Sequence, residues 1–566
     1  MSTAVAMTFS VSVGAPQAFA QSVSGAYLAG RQAISQNDFS NASTYFVKAL
    51  ARDRTNPELM EGAVSSLLAL GKIQKAVPIA KAIEQLELRS QTASMVLIAD
   101  LLMNQDFEGV IARAGDNGGI GPLVDTLVSA WAKLGQGKAV AAFEEFDVVA
   151  KQPGMSGFAT YHKAMAFAVV GDFEEANNLF SSSNADGASA TRRGAMARAE
   201  VLSQLDRNAD AVQSLRLAFG DATDPELDAL LEALEAGVMV PFTHATSASD
   251  GIAEVFYSLA GALRGEADAD YTLLYARLAY SLRPDHIDAL LLSAELLEEL
   301  GQFDLAIDAY KKVPRADTAS HAAELGRAVA LRSSGKPDAA IEVLAQLARR
   351  FPDMAIVHST LGDALRNQDK FVDAVASYDR ALELVPKGSR GRWFIHYARA
   401  IAHERLDYWE KAETDFRAAL ELNPEHPQVL NYLGYSMVEK QINLAEALDM
   451  IERAVEARPD SGFIVDSLGW VLYRLGRYGE AVAHMERAVE LMAVDPVVND
   501  HLGDVYWAVG RKREAEFQWN RALSFVDPTE VDGEADPGRM RRKLEVGLDA
   551  VLLEEDAEPL KVAIDD

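Results

Sequence analysis

Three runs of one pattern decide how this chain folds: Asn431-Tyr-Leu-Gly434, Asp466-Ser-Leu-Gly469 and Asp500-His-Leu-Gly503. Their glycines lie 35 and 34 residues apart, and an alanine follows each by twelve or thirteen residues, at Ala447, Ala481 and Ala515. A small residue on each of two helices lets them approach closely, while larger neighbours fill the remaining space. Working outward, the second small position recurs at Thr272, Ala306, Ala340, Ala374, Ala412, Ala447, Ala481 and Ala515, at intervals of 34, 34, 34, 38, 35, 34 and 34. The 38 is accounted for by the extra loop Lys387-Gly-Ser-Arg390. Eight units in one register mark a repeat architecture, in which no unit buries its apolar face alone and neighbours must stack.

The first half carries the same pattern more weakly. Ala42, Ala76 and Val110 keep the interval of 34, and then Ala139, Ala176 and Ala211 drift to 29, 37 and 35. Phe46, Phe143 and Phe180 stand four residues after their markers, which gives about six degenerate units. Between the halves, residues 221–251 break the register with Pro225, Pro241 and a polar run from Thr243 to Asp250. That stretch reads as an irregular hinge with one short helix around residues 227–236. After the last unit, Met540, Leu544, Leu548, Val551 and Leu552 fall at helical spacing, as a capping helix over 538–554 would require.

One unit reads Leu361, Gly362, Leu365, Ala374, Tyr378, Ala381, Pro386, and another reads Leu502, Gly503, Tyr506, Gly510, Ala515, Trp519, Ala522. With a period of 34, this resembles the tetratricopeptide repeat family. The resemblance implies an all-α, right-handed superhelical solenoid of antiparallel helix pairs. The expected organisation is a signal peptide (1–20), degenerate N-terminal repeats (21–222), the hinge (223–252), eight C-terminal repeats (253–526), and a capping helix with an acidic tail (527–566).

Composition limits the chemistry. The chain has 566 residues, with 54 Lys and Arg against 84 Asp and Glu, a formal charge of −30. So acidic a chain is a poor nucleic-acid binder, because phosphate neutralisation needs clustered cations. The absence of cysteine excludes thiolate zinc sites, iron–sulfur clusters, disulfides, a cysteine nucleophile and a lipid-bearing cysteine. Hydrophobic residues make up 49%, enough for a large buried core.

The first twenty residues are uncharged and rich in Ala, Val, Met, Phe and Ser, and they close on Ala18-Phe19-Ala20 before Gln21. That pattern is of the signal-peptide type, although no Lys or Arg precedes Arg31, which leaves the assigned start in question. The reading is an exported, periplasmic protein cleaved after Ala20, and a cytoplasmic one if the segment is not cleaved. No later stretch is long and apolar enough to span a membrane.

Catalytic motifs fail on inspection. The cluster Gly115-Asp-Asn-Gly-Gly-Ile-Gly121 lacks the Lys-Ser/Thr of a phosphate loop and has no strand before it. His396 and His403 could share a helix face, but the spacing supplies no further metal ligands. There is neither G-x-S-x-G nor H-E-x-x-H. Asp466 and Asp500 occupy equivalent places in adjacent units, yet a groove open to water gives no raised pKa for acid–base work. No enzymatic activity, cofactor or metal is expected.

In the family it resembles, first helices line a concave groove through the residue after the glycine and those three before and four after it. In this sequence those positions bring Asn431, Tyr435 and Val438, then Asp466, Trp470 and Tyr473 with Arg474 beside them, then Asp500, Asp504 and Trp507. Tyr397 falls at the matching place one unit earlier. Tyr506 and Trp519 are core aromatics of the repeat. Trp470, Tyr473 and Trp507 are not called for by it, and large aromatics in a groove are favoured anchors for a partner. The alternative is that these rings pack on a neighbouring first helix or on the cap. Interleaved carboxylates favour a basic or hydrophobic partner.

Residues 427–526 resemble, more narrowly, bacterial envelope tetratricopeptide adaptors of the carboxyl-terminal processing protease. The resemblance implies a scaffold holding a protein partner, such as a periplasmic protease or an envelope assembly factor. This chain departs from those lipoproteins in lacking the lipid-bearing cysteine. The sequence thus points to a non-catalytic interaction scaffold in the bacterial cell envelope. A component of an export or polymer-handling assembly (polysaccharide or pilus) and a cytoplasmic interaction protein are the alternatives. The sequence leaves homo-oligomer formation open.

Overall fold

Several helices begin on local signals. Asn56, Asp224, Asp495 and Asp536 cap helix N-termini with their side chains, each followed by a proline whose missing N–H would have no helical partner. Between the two helices of a pair the chain passes through a left-handed residue. Gly71, Gly301, Gly335, Gly476 and Gly510 take φ values from +68° to +81° there, which L side chains rarely adopt. The structure, a computed structural model, describes residues 23–115, 119–182, 191–220, 224–526, 535–557 and 559–560. The expected signal segment lies outside them, as do residues 116–118 of the glycine cluster and most of the acidic tail after 557.

The described residues form 31 helices and no strands. The fold is an all-α solenoid of helix pairs. Two compact units divide at Val343 and Leu344. In unit 1 the pairs are α1 (Val23–Ser35) with α2 (Phe39–Leu50), α3 (Pro57–Ala69) with α4 (Ile73–Gln85), and α5 (Gln91–Met103) with α6 (Phe107–Gly115). Then come α7 (Pro122–Gly135) with α8 (Ala139–Ala150), α9 (Ser156–Val169) with α10 (Phe173–Ser181), and α11 (Arg192–Gln204) with α12 (Asn208–Phe219). The single helix α13 (Pro225–Glu235) precedes α14 (Ala248–Leu263) with α15 (Ala269–Leu282), α16 (Ile287–Glu299) with α17 (Phe303–Tyr310), and α18 (Ser320–Ser333). The boundary falls within α19 (Pro337–Arg350).

Unit 2 contains α20 (Ala355–Arg366) with α21 (Phe371–Leu384), α22 (Arg392–Arg405) with α23 (Trp409–Leu422), and α24 (Pro427–Glu439) with α25 (Leu444–Ala457). It continues with α26 (Gly462–Arg474) and α27 (Tyr478–Leu491), then α28 (Pro496–Ala508) and α29 (Lys512–Phe525). It closes on α30 (Pro537–Val546) and α31 (Leu548–Glu554). The expected capping helix is therefore two helices, broken at Gly547, where φ is +85°. Trp507 accounts for the glycine, since a Cβ there would come within 2.5 Å of the indole.

The repeat has a direct physical cause. A Cβ on Gly362, Gly434, Gly469 or Gly503 would lie 2.6, 2.7, 2.7 or 2.4 Å from Tyr378, Ile451, Met485 or Trp519. Each of those side chains stands four residues after its alanine marker, so the first helix owes its glycine to the large residue opposite. Gly503→Ala is expected to cost about 1–3 kcal/mol, because the Trp519 ring is tied to Asp504 and cannot yield. At Gly469 the flexible Met485 can move, and the helix propensity gained, up to about 1 kcal/mol, offsets most of the strain. Urea unfolding of the two variants checks this order; equal losses would refute it.

The fourth unit corrects the sequence reading. Ala142 and Phe146 are fully buried, while Ala139 is only partly so. Its marker is thus Ala142, three residues on, which makes the intervals 32 and 34. Phe143 instead stacks on Phe167, with ring centroids 3.9 Å apart.

The stretch 223–252 is also not where the units part, and it is fastened on both sides. Ser203 accepts from Val240 N–H, Gln204 donates to the Val240 carbonyl, and the Glu200 carboxylate accepts from the Thr243 N–H and hydroxyl. Arg283 donates to the carbonyls of Thr243 and His244. This connection carries α14 against α7 and α9, and α15 against α3 and α5. Four first helices of the N-terminal array thus present their face to the chain's own next helix pair. At Gly251 on α14 a Cβ would come within 2.2 Å of the Trp131 ring, so the glycine serves a packed contact.

Candidate functional site: the first-helix groove of unit 2

Unit 2 has one continuous core from α22 to α31, holding Phe416, Leu433, Met437, Ile451, Met485 and Trp519. The positions expected to face a partner lie along its first helices, and the structure divides them into two groups. At the α28 end they are taken up by the cap. The Lys543 ammonium on α30 is fully buried and donates to Asp500 at 2.8 Å and to Asp504 at 2.6 Å. Asp504 also accepts from Trp519 Nε1 at 2.9 Å and faces Arg539 at 3.5 Å. Trp507 donates to Asp549 on α31 at 2.9 Å, with the Lys512 ammonium 4.3 Å above its ring. Burial holds the Asp500 carboxyl above its usual range, against the pull of Lys543, with the Asp504 charge adding to the rise. Asp500, Asp504 and Trp507 were expected to line an open groove; they sit beneath α30 and α31, because the basic cap helix supplies the cation these carboxylates need.

One unit earlier, Asp466 is buried and pairs with His501 Nδ1 at 3.0 Å. Trp470 stacks flat on that imidazole, centroids 4.0 Å apart, and on Tyr473 at 4.8 Å, and it donates to Glu439 at 2.7 Å. Burial would lower the His501 pKa, but Asp466, Asp500 and Asp504 together hold it above the ordinary value. The Tyr473 hydroxyl is pushed well up by burial and by the Asp504 charge, with Arg474 and Arg539 opposing. Tyr397 is half-buried among Trp393, Phe416 and Tyr432. Among the expected positions, Trp470 packs on a neighbouring first helix and Trp507 on the cap, while Tyr473 is buried against Trp470 and Tyr478 within its own helix pair.

What stays open is a pocket of about 180 Å³ between α24, α26 and the start of α28, lined by Asn431, Tyr435, Phe463, Asp466, Ser467 and Val497, among others. The Asn431 Oδ1 is shielded from solvent and has no hydrogen-bond partner. Phe463 is 64% exposed at the pocket's rim. The pocket therefore offers a hydrogen-bond acceptor in an apolar recess beside a loose aromatic. No group of three His, Cys, Asp or Glu residues that could hold a metal occurs among the described residues. His396 is instead held by Asp415 at 2.8 Å, and Arg399 bridges Asp415 to Asp379.

Three family models, each described as Tetratricopeptide repeat, match residues 288–316, 325–389, 393–426 and 439–496. These segments are tetratricopeptide repeats. A Pseudomonas aeruginosa protein described as TPR repeat-containing protein PA4667 is 29% identical over 188 residues, 33% of this chain. The match covers only 31% of that relative's length. Solved structures align at low similarity, among them the following two. A crystal structure of the APC/C hetero-tetramer Cut9-Hcn1 is 14% identical, covering 94% of this chain and 97% of that one, with a TM-score of 0.39. A tetratricopeptide repeat protein from Parabacteroides merdae is 15% identical, covering 46% of this chain and 97% of that one, with a TM-score of 0.38.

Within the tetratricopeptide repeats of unit 2, sequence reasoning missed Phe463. A signal was available. Phe463 lies six residues before Gly469, and Ile356, Phe394 and Val497 hold the same place before Gly362, Ala400 and Gly503. Ile356 and Phe394 are exposed too. Missed as well was that the cap's Arg539 and Lys543 answer Asp500 and Asp504, since residues some forty apart in sequence show no periodic relation.

Proposed function

We propose that this protein is a non-catalytic scaffold of the bacterial cell envelope, which holds a protein partner in the first-helix groove of unit 2. Tetratricopeptide repeat proteins serve as protein-interaction scaffolds, and this fold is typically non-catalytic. The observation that carries the reading is the unsatisfied Asn431 carboxamide oxygen in a recess edged by exposed Phe463. A buried acceptor without a donor costs about 1–3 kcal/mol, which a partner's backbone N–H would recover on binding. An extended segment of the partner would donate to Asn431 and place an apolar side chain between Phe463 and Val497. Export is part of the proposal: the uncharged leader ending at Ala20 would be removed, leaving Gln21 first. A periplasmic protease or an envelope assembly factor is the class of partner the narrower resemblance favours.

In-cell crosslinking followed by mass spectrometry identifies the partner, and a pull-down then tests the site. Asn431→Ala with Phe463→Ala is expected to lower capture at least tenfold with helicity unchanged. Retained capture would refute the groove. N-terminal sequencing from fractionated cells tests export separately, and a periplasmic fraction without the protein would refute it.

A further inference from the structure

Among the described residues two Lys or Arg side chains are buried, and their surroundings are opposite. Lys543 has two carboxylates. Arg277 on α15, only 6% exposed, has none and takes part in no ion pair. Among the described residues its one hydrogen bond runs from Nε to the Ala69 carbonyl at the end of α3, at 2.9 Å. A guanidinium has five N–H donors in a rigid fork, so both Nη groups remain without an acceptor among the described residues. Burial draws the Arg277 pKa down to about 10, which still leaves it charged at neutral pH.

The guanidinium lines a cavity of about 490 Å³ within unit 1, at the α3–α4 turn. Lys72, Lys75 and Lys312 line it too, with Tyr280 and Met103 as apolar wall, and no carboxylate is present in the lining. None of the three lysines forms an ion pair among the described residues. Lys312 lies 5.7 Å from the Tyr280 ring centroid, and burial and the Arg277 charge lower its pKa. The nearby Asp308, which opposes that shift, is paired with Lys311 at 3.3 Å. Lys72 is also the N-cap of α4; its side chain makes no cap, while its carbonyl accepts from the Lys75 N–H at 3.0 Å. In a chain of net charge −30 the general field repels anions, so four unpaired cations around one cavity are a local exception.

We propose that this cavity is an oxyanion site, taking a phosphate group whose oxygens accept from the Arg277 Nη groups, with Lys72, Lys75 and Lys312 around it. Guanidinium forks suit phosphate oxygens in spacing and plane. The Nε bond to Ala69 places the fork, and Tyr280 and Met103 leave room for an organic substituent.

The test is calorimetric titration of the full chain at constant ionic strength, with inorganic phosphate in one arm and phenyl phosphate in the other. One saturable site is expected, with phenyl phosphate the tighter ligand if the natural ligand is an ester and inorganic phosphate equal or tighter if it is the free ion. Lys72→Ala, Lys75→Ala and Lys312→Ala combined are expected to weaken binding at least tenfold with unchanged helicity, since all three side chains are exposed. Arg277→Gln is expected to abolish it, and phosphate should raise the melting temperature of the wild type only. Absence of binding by the wild type at 10 mM phosphate, on the order of the weakest affinity such a site would have, would overturn the proposal. Unchanged binding by the triple-lysine variant would also overturn it, whether or not Arg277→Gln folds.

Discussion

Lys543→Ala is expected to destabilise unit 2 by about 3–5 kcal/mol, the range for removing one member of a buried charge set. The ammonium is fully buried, and its loss leaves Asp500 without a cation and Asp504 with only Arg539, at 3.5 Å. The carboxylates cannot reach water without lifting α30, so the cap is expected to loosen first. Hydrogen exchange in residues 537–554 and at Trp507 should rise before that of α24 or α26. Asp500 fixes how the loss depends on pH. Its folded pKa is already raised, so its contribution is complete below its unfolded value near 4 and is lost as pH rises through the folded value. Without Lys543 to pull it down, the Asp500 carboxyl rises further in the variant, which then loses more stability than wild type as pH rises; its deficit should be larger at pH 7 than at pH 4. Replacing the set together, as Asp500→Asn, Asp504→Asn and Lys543→Met, should recover most of the stability, because none of the three positions then carries a charge. A Lys543→Ala variant within 1 kcal/mol of wild type by urea unfolding would show that the cap is not held by this cluster.

The second large effect is expected in unit 1, where α14 lies on the first-helix face. Glu254 is buried and accepts from Tyr161 at 2.7 Å, from Arg193 Nε at 2.9 and 3.0 Å, and from His286 Nε2 at 3.2 Å. Burial alone would raise its pKa, but Arg193 and His286 hold it well below the ordinary carboxylate range. Arg193→Ala is expected to cost about 3–5 kcal/mol by stranding that carboxylate. Beside the cluster, His162 is completely buried. The Trp131 indole donates to its Nδ1 at 3.4 Å, so Nε2 carries the proton and donates to Ser258 at 3.0 Å. The ring is neutral, and burial lowers its pKa to about 4. A depressed folded pKa means that this stability is present above the unfolded value near 6.5 and is lost as pH falls toward 4, up to about 3 kcal/mol in all. The Asp466–His501 pair in unit 2 runs the other way. Its raised histidine pKa stabilises below 6.5 and is lost as pH rises through the folded value. Acidification from pH 7 to 5 should thus weaken unit 1 selectively, and His162→Phe should flatten that dependence. Hydrogen exchange at α14 that is the same at both pH values would contradict this account.

Much of this molecule was legible in its sequence. The interval of 34 follows from helix geometry, since two short helices and two turns take about that many residues before the same contact returns. Each glycine and its partner four residues past the alanine lie within some twenty residues of one another, so a single unit encodes its own packing. The markers from Thr272 to Ala515 were readable for that reason, and the fourth unit was misread only because two phenylalanines stand three residues apart.

The fate of the groove was not legible. Trp507 and Asp504 looked like surface residues because the helix that covers them comes forty residues later, out of register with the repeat. Arg277 and Ala69 are 208 residues apart, as are Gln91 and Tyr271 by 180, and no periodicity relates them. A periodic sequence determines how each unit packs on the next, because that contact repeats. Which stretch of the first-helix face is filled by the chain itself, and which stays open, was decided only by tertiary contacts that occur once. Those contacts rest on polar groups that find their partners only when the chain has folded back.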